Sequence, residues 1–110
     1  MAQFEDFLKL DIRIGTVVEA WHLEKAKVPA VAMKIDFGPE IGILQSSAQI
    51  TKRYSPEIMK GKQVTGIVNF PPRKIAGFSS EVLVIGGMPE EGDVVLVRPD
   101  EHVPDGTKIG

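Results

Sequence analysis

Few residues in this chain carry reactive chemistry, and their spacing assembles none of it. The two histidines, His22 and His102, lie 80 positions apart, each beside acidic residues. With no cysteine and no closely spaced histidine pair, neither a thiolate nor an imidazole metal site is expected. Four of the serines form the pairs Ser46-Ser47 and Ser79-Ser80, neither of them in a nucleophile elbow. They read as backbone-capping hydroxyls. The 11 glycines make no dinucleotide fingerprint, and Gly61-Lys62 is followed by Gln63, so no phosphate-cradling loop is present. Glu90, Glu91 and Asp93 surround Gly92 in a turn and are expected to be solvated, with nothing to raise a carboxyl pKa for acid–base work. An enzyme is not expected, nor any metal or cofactor.

Two other segments are suited to binding. In QSSAQITKRY, residues 45–54, the hydrogen-bonding side chains Gln45, Ser46, Ser47, Gln49 and Thr51 lead into Lys52, Arg53 and Tyr54. Small polar groups beside two cations and an aromatic ring suit main-chain carbonyls, carboxylates or phosphates. The same run would serve as an ordinary strand-to-helix connection with Ile50 and Tyr54 in the core, and Ile50 is assigned there. In NFPPRKIAGFSSE, residues 69–81, Pro71-Pro72 stiffens a loop that holds Arg73 and Lys74 outward between Phe70 and Phe78. A rigid loop loses less entropy on binding. The alternative is a plain turn with both phenylalanines capping the core.

These segments hang on a mostly β framework. Phe4, Phe7 and Leu8 recur at helical spacing, predicting a short helix over residues 3–9 packed on the body of the domain. From Leu10 the period is two: Leu10, Ile12, Ile14, Thr16, Val18 and Ala20 share one face and Asp11, Arg13, Gly15, Val17 and Glu19 the other. Gly15 in so long a strand suggests a bulge or sharp coil. Further strands are expected at Ala30–Phe37, Ile41–Ser46, Val64–Phe70, Glu81–Ile85 (apolar on both faces, hence central) and Val94–Arg98. Ser55-Pro56 caps a helical turn over Pro56–Lys60, and the tail from Pro99 reads mostly as loop. The pattern is an all-β barrel or sandwich. Within that set, a glycine-interrupted first strand and a short helix between strands 3 and 4 favour an OB-type barrel of five to six strands.

The 110 residues fit one domain, 1–110, large enough to form a core unaided. The longest uncharged run, Ile41 to Thr51, is 11 residues, too short to cross a bilayer, and MAQFEDFLKLDIR lacks a signal peptide's basic and apolar regions. A cytoplasmic protein is therefore expected, with no membrane insertion. The net charge of −2 is uneven: residues 45–80 carry six cations against Glu57 alone, and both flanks are acidic. Any anion binding must be local to that central third.

At these residues the chain resembles a known family. DIRIGTVVEA, the IDFG hairpin at 35–38 and NFPPRKIAGFSSEVLVIGG at 69–87 are similar to the tRNA-binding domain appended to some aminoacyl-tRNA synthetases. QSSAQITKRYSPE and the ending VPDGTKIG resemble more narrowly the CsaA group of export-related chaperones within it. The resemblance implies a non-catalytic OB-fold homodimer that binds unfolded or exported precursor polypeptides, interacts with the secretion machinery, or grips tRNA by its shape. For a polypeptide, Phe70, Phe78 and Tyr54 would receive apolar side chains and Ser46, Ser47 and Gln49 the main chain, with Ser80 on the same binding edge. Lys52, Arg53, Arg73 and Lys74 would attract acidic groups, or phosphates of a tRNA. Phe4, Phe7, Leu8, Val103 and Ile109 are the candidate dimer contacts, although the same residues would serve in a monomer's core. Two departures fall on this edge. Ser46-Ser47 continues through Ala48-Gln49-Ile50-Thr51, lengthening a loop that is shorter in many tRNA-binding members, and the later motif reads Ser80-Glu81-Val82-Leu83 where those members have Ser-Glu-Gly-Met.

Overall fold

Alternating apolar residues wrap one twisted sheet around a single core. The computed structural model describes all 110 residues. Strand β1 (Ile12–His22) is flanked by β2 (Val31–Asp36) and β4 (Gln63–Ile67). With β3 (Ile43–Ala48) and β7 (Leu83–Val84) the order is β3-β2-β1-β4-β7. The sheet curls until residues 80–82 reach β3, giving a nearly closed five-stranded OB barrel. Two hairpins extend it: β5 (Arg73–Ile75) with β6 (Phe78–Ser80), and β8 (Gly86–Glu90) with β9 (Asp93–Leu96). Helices α1 (Phe4–Leu8), α2 (Gly38–Ile41) and α3 (Pro56–Met59) are single turns. In α3 the Ser55 hydroxyl accepts from the Ile58 amide, the cap its sequence predicts.

The core joins Val17, Val31, Met33, Ile35, Phe37, Ile50, Met59, Val64, Val82 and Leu96. Val17 corrects the predicted facing of β1. Val17 shares the face of Gly15, which looks into the barrel at Phe37 and Ile35, while Ile12 and Ile14 lie outside the main core cluster. The register slips only after Val17, which brings Ala20 back to the core side while Val18 stays half-buried. The bulge thus comes two residues after Gly15. What Gly15 provides instead is space, since a Cβ there would stand 2.7 Å from the Phe37 ring and 2.8 Å from the Asp36 carbonyl. Its bare backbone makes room for that ring.

Three further expectations are revised. The tail is stitched rather than loose: Ile14 and Ile12 exchange main-chain hydrogen bonds with Gly106, Thr107 and Ile109, where β2 has left the edge of β1. Arg13 reinforces this, pairing with Asp11 and Glu40 and donating to the Gly106 carbonyl. Residues 81–85 form a closing strand of two paired residues, with Val82 inside and Leu83 exposed, so their apolar faces are not both buried. Finally, no residue of α1 is buried; Phe4 is 70% exposed and Leu8 62%, and Phe4 and Phe7 stack on each other. The helix is too short and too far off the barrel to seal its own apolar side.

Candidate binding groove

Within the stretch expected to be a stiff loop, residues 73–80 form a β-hairpin. Its two-residue turn, Ala76-Gly77, has φ of 52° and 78°, the positive values that match the strand twist. Alternation along β5 sends Arg73 and Ile75 to one face and Lys74 to the other. Arg73 and Ile75 face a groove of about 180 Å³, completed by Phe70 and Pro71 before the hairpin and by Ser47, Ser80, Glu81, Val82 and Leu83 across it. Arg73 and Lys74 make no ion pair, and Phe70 is 43% exposed.

The floor of this groove is the seam that closes the barrel. At Gln45 the seam has one main-chain bond, the Glu81 amide donating to the Gln45 carbonyl at 2.8 Å, and one side-chain bond, the Gln45 amide donating to the Glu81 carboxylate at 2.9 Å. At Ser47 it is side chain, the Ser47 amide donating to the Ser80 hydroxyl at 3.1 Å. The Ser47 hydroxyl is shielded from solvent and has no hydrogen-bond partner.

Of the expected binding residues, the fold brings Ser47, Phe70, Arg73 and Ser80 together here. The others are placed elsewhere. Ser46 lies inside the barrel, its hydroxyl donating to the Val82 carbonyl. Gln49 is exposed beyond the end of β3. Phe78 meets Trp21 edge-on at 6.0 Å, away from the groove lining. Tyr54 packs against the core, and its hydroxyl accepts from the Leu96 amide. Lys52 and Arg53 turn to the β8–β9 hairpin, pairing with Glu90 and Asp93. The four expected cations are therefore divided: Arg53 is held in a two-pronged bond by Asp93, Lys52 makes a looser exposed pair with Glu90, and Arg73 and Lys74 are unpaired. Ile75, Glu81 and Leu83 line the groove without having been singled out; only hairpin register reveals them. Val103 and Ile109, half-buried, have their main chains engaged by Gln63 and Ile12.

Asp93 also differs from the solvated carboxylate expected. Its side chain is only 7% exposed and takes a two-pronged bond from Arg53, the outer nitrogen at 2.9 Å. That bond holds the Asp93 carboxyl below its ordinary pKa against the opposing effect of burial, and it raises the Arg53 guanidinium. A carboxyl depressed in the folded state adds stability that is complete above its unfolded pKa and is lost as pH falls through the folded value. Thermal unfolding measured from neutral to strongly acid pH should therefore lose this contribution only below about pH 4. Asp93→Asn should lower the neutral-pH melting temperature and flatten that acid limb; an unchanged profile would show that the pair is idle.

A nearly closed OB barrel with a partly basic groove on its wall defines a class, and the sequence matches it. Residues 12–108 match the model of a family described as a putative tRNA binding domain, and the chain belongs to that family. Within it the chain is CsaA-like. It is 61% identical to the chaperone CsaA of Bacillus anthracis over 100% of this chain and 99% of that one, with a TM-score of 0.95. The CsaA chaperone protein of Picrophilus torridus is 43% identical, with full coverage of both chains and a TM-score of 0.92. The methionine–tRNA ligase of Flavobacterium johnsoniae is 37% identical over 99% of this chain, which spans only 15% of that ligase's length. No helix here is long and apolar enough to cross a membrane.

Proposed function

We propose that this protein is a non-enzymatic, CsaA-like chaperone that binds unfolded or exported precursor polypeptides in the cytosol, linked to secretion and acting as a homodimer. The observation that carries this reading is the groove lining: Phe70, Pro71, Ile75, Val82 and Leu83 surround a single cation, Arg73. Such a lining suits an apolar side chain beside a main chain. A polyanion asks for several cations in one track, whereas Arg53 is held by the buried Asp93 carboxylate and Lys74 lies on the other face of the hairpin from Arg73. A groove of this size holds about one large side chain, worth roughly 1.5–3 kcal/mol on burial. Micromolar affinity needs about −8 kcal/mol, so two grooves on a dimer would have to act together.

The second reading, structure-specific tRNA binding, is favoured by the family match and by the unpaired Arg73 and Lys74. Titrating bulk tRNA and a permanently unfolded polypeptide at two salt concentrations separates the two. Polypeptide binding that varies little with salt, with negligible tRNA affinity, is expected. A steep salt slope for tRNA with no polypeptide binding would reverse the assignment. In the same assay, Arg73→Ala with Lys74→Ala should weaken the ligand severalfold at an unchanged melting temperature, since both side chains are exposed. A large loss of stability would instead make them structural.

A further inference from the structure

Resting on the polypeptide reading, we propose that Ser47 is the point where an extended client main chain docks, as an added strand on the seam beside β3. The seam keeps one main-chain bond at Gln45, from the Glu81 amide, but is held at Ser47 by the Ser80 side chain. The Ser80 hydroxyl holds the Ser47 amide as the carbonyl of an incoming strand would, so it acts as a removable stand-in for a client. The Ser47 hydroxyl is shielded from water and lacks a partner, a cost that a folded protein rarely carries without use. Displacing the Ser80 hydroxyl would open the Ser47 hydroxyl to a client amide, which would satisfy it.

The remaining lining sets the client's chemistry. Phe70, Pro71, Ile75 and Leu83 form apolar walls for one side chain, and the unpaired Arg73 faces the same groove. The only carboxylate there, that of Glu81, already accepts from the Gln45 amide. The complementary occupant is an extended polypeptide with a bulky apolar residue next to an acidic one. Pairing through the main chain explains how one groove would accept many sequences.

The test uses the full-length protein and an alanine–threonine peptide carrying one leucine beside one glutamate, with affinities from NMR titration. One hydrogen bond gained or lost corresponds to about a threefold to tenfold change. Ser47→Ala should weaken the peptide by that factor while raising the melting temperature, because the orphaned hydroxyl is gone. Ser80→Ala should do the reverse, tightening the peptide and lowering the melting temperature. A peptide with an ester in place of the leucine amide should bind more weakly to wild type and equally to Ser47→Ala. Replacing its glutamate by lysine should weaken it, and tighter binding of the lysine peptide would overturn the assigned client chemistry. Wild-type binding that neither serine variant alters would overturn strand docking alone. No binding of this peptide or of any unfolded polypeptide would overturn the chaperone reading as well.

Discussion

Phe37→Ala is expected to cost about 3–5 kcal/mol, the usual range for emptying a buried phenylalanine site. For a domain of this length that is a fall in melting temperature on the order of 12–20 °C. Phe37 has no solvent exposure and belongs to the main core cluster. Its ring is held between two bare backbones: a Cβ on Gly15 would meet it at 2.7 Å and one on Gly66 at 3.2 Å. Strands β1 and β4 cannot close on the vacated space without drawing their partners along, so most of the cavity should remain. Its carbonyl adds a second link, since Gly106 lies so close that a Cβ there would stand 2.5 Å from the Phe37 oxygen. Disturbing Phe37 should thus loosen the tail as well as the core. Chemical denaturation of Phe37→Ala and the milder Phe37→Leu would check this. A loss below about 1 kcal/mol for the alanine variant would show that the barrel end collapses freely.

Phe4→Asp combined with Leu8→Asp is expected to convert the proposed homodimer to a monomer and to weaken unfolded-polypeptide binding by about 10²-fold, the low end of what avidity supplies. The physical ground is the exposed apolar side of α1, where Phe4, Phe7 and Leu8 are left uncovered by their own chain. Because none of them is buried, charges there should leave the monomer's melting behaviour largely intact. Sedimentation equilibrium reads the mass directly. A wild-type chain that sediments as a monomer would sink the dimer, and the avidity argument with it. A dimer that survives both substitutions would move the interface to another face.

The elements most legible in the sequence are those whose signals are local. Period-two alternation marks β2 in full, and β1, β3 and β4 to within a few residues. Ser55-Pro56 marks the start of α3 because a cap is a contact between near neighbours. Ile50, read as core inside a polar run, is 3% exposed. The β5–β6 hairpin escapes a sequence reading because its turn is Ala76-Gly77, and alanine at positive φ is not the residue that announces such a turn. Strand β8 escapes it because Gly86, Gly87 and Pro89 carry little strand character. The β1 bulge, which returns Ala20 to the core side after Val17, has no marker of its own and follows from fitting a strand to two partners.

From residue order alone come an all-β barrel, its main strands, and the two polar and basic segments proposed for binding. Those are consequences of neighbours along the chain. Which members of the two segments meet is a matter of distances across the barrel. Closure sets Ser47 against Ser80, 33 residues apart, and gathers Phe70 and Arg73 around them. The same closure turns Lys52 and Arg53 toward Glu90 and Asp93, some 40 residues on, and ties the buried Ser46 and the partly buried Tyr54 into structural bonds. Charge counting could not divide that basic run, because a cation's freedom depends on which carboxylate the fold delivers to it.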